Sequence, residues 1–147
     1  MPSKFQRAGI SFLYPDNWTV DEEDAPAGQL SVTVYSPRGG FWSLAVHPGS
    51  PDPLKIANTA LEAMKQEYSG IEVEEVNETL ADWNLIGFDL NFFLLDFTNT
   101  AQIRSIRCDK TTYTVFCQAE DREFEQNQRV FQAMTISLLN GLKDFNY

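Results

Sequence analysis

Three groupings in this chain have residue types that could do chemistry. His47, the only histidine, lies close in sequence to Ser43 and Ser50, which raises a nucleophile relay. No Gly-x-Ser-x-Gly elbow accompanies either serine, so that relay is not expected. A zinc centre would have to rely on carboxylates almost alone, because no second histidine or closely spaced cysteine pair joins His47. Asp89, near Asn91 and Arg107, is the second grouping. A carboxylate held by a guanidinium can orient a ligand or transfer a proton in a pocket, and its plainer reading is the wet end of a sheet face. Arg38-Gly39-Gly40 is a hairpin turn rather than a phosphate loop, its glycines serving backbone geometry. No metal or cofactor is expected.

Cys108 and Cys117, the only two cysteines, form the third grouping and flank an expected turn at Asp109-Lys110-Thr111-Thr112. With Cys108 opposite Tyr113 and Cys117 opposite Arg104, the sulfurs stand on the order of 13 Å apart along the ladder, too far for a disulfide. They are expected to be unbridged core residues in a reducing compartment.

The elements that position these groups follow from apolar periodicity. Strands are expected at Ile10 to Tyr14, Leu30 to Tyr35, Trp42 to Val46, Ile71 to Leu80, Leu85 to Phe97, Gln102 to Cys108 and Tyr113 to Ala119. Ser36-Pro37-Arg38-Gly39-Gly40 closes one hairpin and Thr98-Asn99-Thr100 another. Asp52 caps and Pro53 opens a helix whose stripe is Leu54, Ala57, Leu61, Met64 and Tyr68, ending at Gly70. A second helix begins near Asp121, buries Phe124, Phe131, Met134 and Leu138, and stops near Gly141. Residues 1–147 read as one domain, since no linker, repeat or composition shift divides them. The class is α+β, with an antiparallel sheet of about six or seven strands, because the hairpin connections are too short for parallel crossovers.

A loop at Thr98–Thr100 pairs Leu94 with Arg104, Phe92 with Ile106 and Leu90 with Cys108. That register gathers Phe93, Leu95, Phe97, Ile103 and Phe116 at one end of a face whose other end holds Asp89, Asn91 and Arg107. A strand that is apolar on both sides needs cover on both, so the sheet is expected between helices in three layers. Where that cluster is uncovered it becomes a binding surface, with Trp42 and Trp83 near strand ends extending it.

Twenty-one acidic residues against eleven basic ones give a net charge of −10, which repels nucleic acid and anionic lipid. Asp21-Glu22-Glu23-Asp24 reads as a solvated loop before Pro26 and Gly28. The apolar runs are too short to span a membrane, and the N-terminus lacks the apolar core of a signal peptide, so a cytoplasmic location is expected.

Phe12, Tyr14-Pro15 and Trp18, the strand Ser43 to Val46, Pro53-Leu54 opening a helix, Gly87 in a long hairpin, Tyr113, and Phe124 with Phe131 in a terminal helix together resemble the family of PsbP and the Ran-binding factor Mog. The chain is also similar to the Eag-type chaperones that hold secretion effectors. The resemblance spans about Phe5 to Leu142 and implies a PsbP-like sheet sandwiched by helices and a role in binding or assembly. The Ran-binding surface of Mog and the metal-associated residues of PsbP find no matching residues here. The expected function is therefore a non-enzymatic, chaperone-like module that takes an apolar or basic segment of a protein partner. The alternatives are a small enzyme or ligand-binding protein using Asp89 and Arg107, and an oligomeric scaffold unit.

Overall fold

The structure, a computed structural model, describes residues 2–24 and 30–145. Strands β1 (Pro2–Arg7) and β2 (Ile10–Pro15) form a separate hairpin. Seven strands build the main sheet: β3 (Thr19–Asp24), β4 (Leu30–Tyr35), β5 (Phe41–Pro48), β6 (Glu72–Leu80), β7 (Trp83–Leu94), β8 (Phe97–Cys108) and β9 (Thr111–Glu120). Their spatial order is β3-β4-β5-β9-β8-β7-β6, and every adjacent pair is antiparallel. Helix α1 (Pro53–Glu67) packs on β7, β8 and β9, and α2 (Asp121–Phe145) packs on β2, β8 and β9.

Local chemistry accounts for most of these elements. In β4, Leu30, Val32 and Val34 are buried while Ser31, Thr33 and Tyr35 alternate with them on the other face. Asp52 caps α1 by accepting from the Leu54 amide at 3.1 Å, and Pro53 occupies the first turn, where its missing N–H is not needed. Ala57 and Leu61 form the buried stripe of α1, whereas Leu54 is turned out to solvent.

Two sequence expectations are corrected on β7 and β8. The strand ends at Leu94, and Leu95-Asp96 makes a two-residue turn in which both residues have positive φ, 51° and 66°. Leu94 therefore pairs with Phe97, Leu90 with Ala101 and Phe88 with Ile103. A left-handed turn favours Gly, Asn or Asp, so Thr98-Asn99-Thr100 has the better turn composition and Leu95 gives no signal. The displacement of seven positions is odd, and because side chains alternate with period two it carries the β8 residues to the opposite face. The β8–β9 turn is likewise tighter than expected, with Cys108 opposite Thr111 and Cys117 opposite Gln102. That shift is even, and faces are preserved.

Three further differences have clear causes. Asp21 to Asp24 lie in β3, an edge strand paired with β4, where the exposed carboxylates of Asp21 and Glu22 are tolerated; the turn expected at Pro26 and Gly28 lies outside the described residues. β1, too polar to be read as a strand, pairs with β2 through residues Pro2 to Arg7. Finally, α2 does not stop at Gly141 but runs through it to Phe145, and the glycine serves close packing instead of a stop: a Cβ there would stand 2.8 Å from the Ser11 carbonyl oxygen. The glycine lets β2 approach the helix, and Ser137 Oγ accepts the Leu13 amide at 2.9 Å nearby.

Two cores result. The larger joins the β1–β2 hairpin, one face of the sheet and α2, and contains Phe12, Trp42, Leu44, Leu85, Met134 and Leu138 among its fully buried side chains. The smaller lies under α1 and contains Ala57, Leu61, Phe88, Leu90, Phe92, Ala101 and Ile103.

Candidate functional site

The α1 side of the sheet is roofed over only part of its width. Helix α1 sits on β7, β8 and β9, while on β4 and β5 the same face presents Ser31, Thr33, Tyr35, Phe41, Ser43, Ala45 and His47, none of them fully buried. Across this open part runs an aromatic row. Tyr35 and Phe41 have ring centroids 5.9 Å apart, and Phe41 stacks on Phe116 at 5.8 Å. These separations suit offset and tilted ring pairs. Beside Phe41 a shallow cavity of about 260 Å³ is bounded by Leu94, Leu95, Phe97 and Gln118, so the row continues onto the tip of the β7–β8 hairpin. There Phe93, Leu95 and Phe97 are 71%, 84% and 61% exposed.

The residues expected to cluster are thus divided. Phe93, Leu95 and Phe97 share the hairpin tip, but Ile103 is fully buried beneath α1 and Phe116 borders that core. Trp42 is no surface extension: it is fully buried under α2, with its indole N–H donated to Thr135 Oγ1 at 3.0 Å and its ring 4.8 Å from Phe12. Trp83 packs half-buried against the same core at the other end of β7. Tyr35, Phe41 and Leu94 are the members that sequence reasoning missed. The available signal was an aromatic residue on each side of the Ser36–Gly40 turn, which hairpin pairing brings together.

Asp89 does not pair with Arg107. Its partner is Arg104, whose Nη2 donates to Asp89 Oδ1 at 2.7 Å and whose Nε donates to Glu78 Oε1 at 2.6 Å. Arg104 Nη1 donates to the carbonyls of Phe88 and Ile103. Burial of the guanidinium opposes its charge, but its hydrogen bonds to Glu78 and Asp89 outweigh this and its pKa is raised. Arg104 lies opposite Gly87, where the absence of a side chain leaves the α2 side of β7 clear for the guanidinium to cross toward β6. Arg107 projects from the other face, exposed, and donates to the Ser50 carbonyl at 3.5 Å.

The two serines are engaged in structure, whereas His47 Nε2 is buried without a hydrogen-bond partner among the described residues. Ser43 donates to the Phe116 carbonyl and Ser50 to the Asp109 carbonyl, and burial lowers the pKa of His47. Burial pushes the Cys117 thiol up to about 12, so it stays protonated and donates to Gln102 Oε1. Both cysteines are buried, and neither forms a disulfide. Among the described residues no group of three or more His, Cys, Asp or Glu side chains is arranged to hold a metal ion, and no helix is long and apolar enough to cross a membrane.

This seven-stranded antiparallel sheet between two helices is the fold of PsbP and Mog. No family model matches the sequence, and neither does any curated protein. The likeness is to solved structures. PsbP of the cyanobacterium Synechocystis superposes with a TM-score of 0.63 at 12% identity, covering 92% of this chain and 90% of that one. The Ran-binding protein Mog1p of Saccharomyces cerevisiae gives 0.55 at 10%, over 98% and 93% of the two chains. A Bacteroides thetaiotaomicron protein gives 0.61 at 14%, and here the match covers 91% of this chain but spans only 46% of that one. At such identities what is shared is the fold.

Proposed function

We propose that the protein is a non-enzymatic binding module that holds an apolar segment of a partner protein, chaperone-like in the sense of shielding that segment from water. The observation that carries this is the exposed Leu95 and Phe97 beside the half-roofed aromatic row, with Phe93 exposed on the opposite face of the same hairpin tip. Large apolar side chains gathered on a surface are typical of protein contact sites, and aromatic ones act there as anchors of low conformational entropy. Leu95 adds a second argument. A leucine at positive φ costs on the order of 1 kcal/mol or more, and at 84% exposure it recovers little of that by burial. Strain without burial is accounted for by a contact outside the chain. One protein of this fold, Mog1p, is itself described as binding another protein, Ran.

The test is the binding of a fluorescent, leucine- and phenylalanine-rich peptide. Phe97→Asp should weaken binding by about tenfold or more, equivalent to about 1.4 kcal/mol, while stability changes by less than about 0.5 kcal/mol. Unchanged binding by Phe97→Asp and Phe93→Asp together would refute the reading. Sedimentation over a concentration series distinguishes the scaffold alternative: self-association abolished by Phe97→Asp would mean that a second copy occupies the patch.

A further inference from the structure

We propose that the free edge of β6 is a docking strand for an extended, basic segment of a partner protein, which joins the sheet as an eighth strand. The proposal goes beyond the hairpin-tip reading and does not depend on it.

β6 ends the sheet order, and β7 pairs with it at all nine positions from Glu72 to Leu80. One side of its backbone is therefore used, and about every second residue turns its N–H and C=O away from β7. Edges are commonly blunted by proline, by a bulge, by shortness or by charged side chains. Of these β6 has only the charges, all of one sign, which repel a like strand but not a basic one: it is nine residues long, contains no proline and keeps an unbroken register. It is also held firmly, since Arg104 reaches across β7 to Glu78. At the opposite edge β3 is tied to the small hairpin by Arg7 and Glu22, 3.1 Å apart. A long, regular and anchored edge is the geometry that strand addition requires.

Charge selects the occupant. Glu72, Glu74 and Glu78 share one face of β6 with Asp89, which lies directly opposite Glu74, and Glu75 projects from the other face beside Val73. Arg104 compensates Glu78 and Asp89, whereas Glu72, Glu74 and Glu75 are exposed and have no ion pair among the described residues. A second copy of β6 would set carboxylate against carboxylate, which disfavours pairing. A strand with Lys or Arg at alternate positions would meet Glu72 and Glu74 on one face. A small apolar residue between them would cover Val73, which is 39% exposed.

The experiment uses the whole chain and an alternating Lys/Val peptide of about eight residues. Controls are its Glu/Val counterpart and a Lys/Val peptide interrupted by proline. The Lys/Val peptide should bind and slow amide hydrogen exchange within Glu72–Leu80 by about tenfold. The double variant Glu72→Lys with Glu74→Lys should weaken binding by about tenfold, whereas Phe97→Asp should leave it unchanged. Equal binding of the proline-interrupted peptide would reduce the effect to unspecific charge attraction and overturn the proposal. So would protection confined to β3, or loss of binding in Phe97→Asp, which would assign the peptide to the hairpin tip.

Discussion

The two faces of the sheet were built from the same strands yet ended differently. On the α2 side, twenty-two buried side chains among the described residues close one core with a 25-residue helix and an additional hairpin. On the α1 side, seven close a smaller core under a 15-residue helix that packs chiefly on three strands. Buried apolar area is the main source of stability, so the α2 side carries the fold. The α1 side leaves part of its surface unroofed. The hairpin tip lies at the margin of that open part, and its exposed side chains do little to hold the sheet together.

The largest expected effect falls where neither face has slack. A Cβ at Gly87 would stand 1.8 Å from the Ile103 carbonyl oxygen, forcing β7 and β8 apart and blocking Arg104. Gly87→Ala should therefore cost more than about 4 kcal/mol in denaturant unfolding. Next comes a direct contrast between the faces. Trp42→Ala should cost about 3–5 kcal/mol through the cavity and the lost hydrogen bond to Thr135, whereas Phe41→Ala, one residue away on the open face, should cost about 1 kcal/mol. Equal losses would erase the distinction between the faces. Arg104→Met should cost about 2–3 kcal/mol, at or below the low end for breaking a buried ion pair, because the side chains of Glu78 and Asp89 remain about one-third exposed. The smallest change runs the other way. Replacing Leu95→Asn together with Asp96→Gly relieves the left-handed turn and should stabilise the protein by about 0.5–1 kcal/mol, while weakening capture of the apolar peptide. A variant that is both more stable and fully competent would show that Leu95 has no part in binding.

The legible part of the candidate site was its composition, and the illegible part was its register. Phe93, Leu95 and Phe97 stand out in sequence as apolar residues at alternate positions, and they are exposed together at one tip. Turn chemistry is stronger at Thr98-Asn99-Thr100 than at Leu95-Asp96, where only Asp96 favours a left-handed turn, and that groups Ile103 with them in the sequence. The odd displacement then moved Ile103 under α1 and brought Arg104, rather than Arg107, to Asp89. Trp42 shows a different limit: an aromatic residue after a hairpin turn has the same sequence signature whether its face is roofed or open.

What the sequence determined by itself was the class of the fold. Period-two runs separated by short turns dictate antiparallel pairing, the Asp52–Pro53 cap and the apolar stripes dictate two helices, and both signals are local. Only the tertiary structure decided which turn residues accept positive φ, how far each helix reaches across the sheet, and which aromatic residues remain uncovered. Those outcomes depend on the balance of packing between segments far apart in the chain. Pairing along β7 and β8 outweighs the cost of two non-glycine residues in a left-handed turn, a trade that no local propensity encodes.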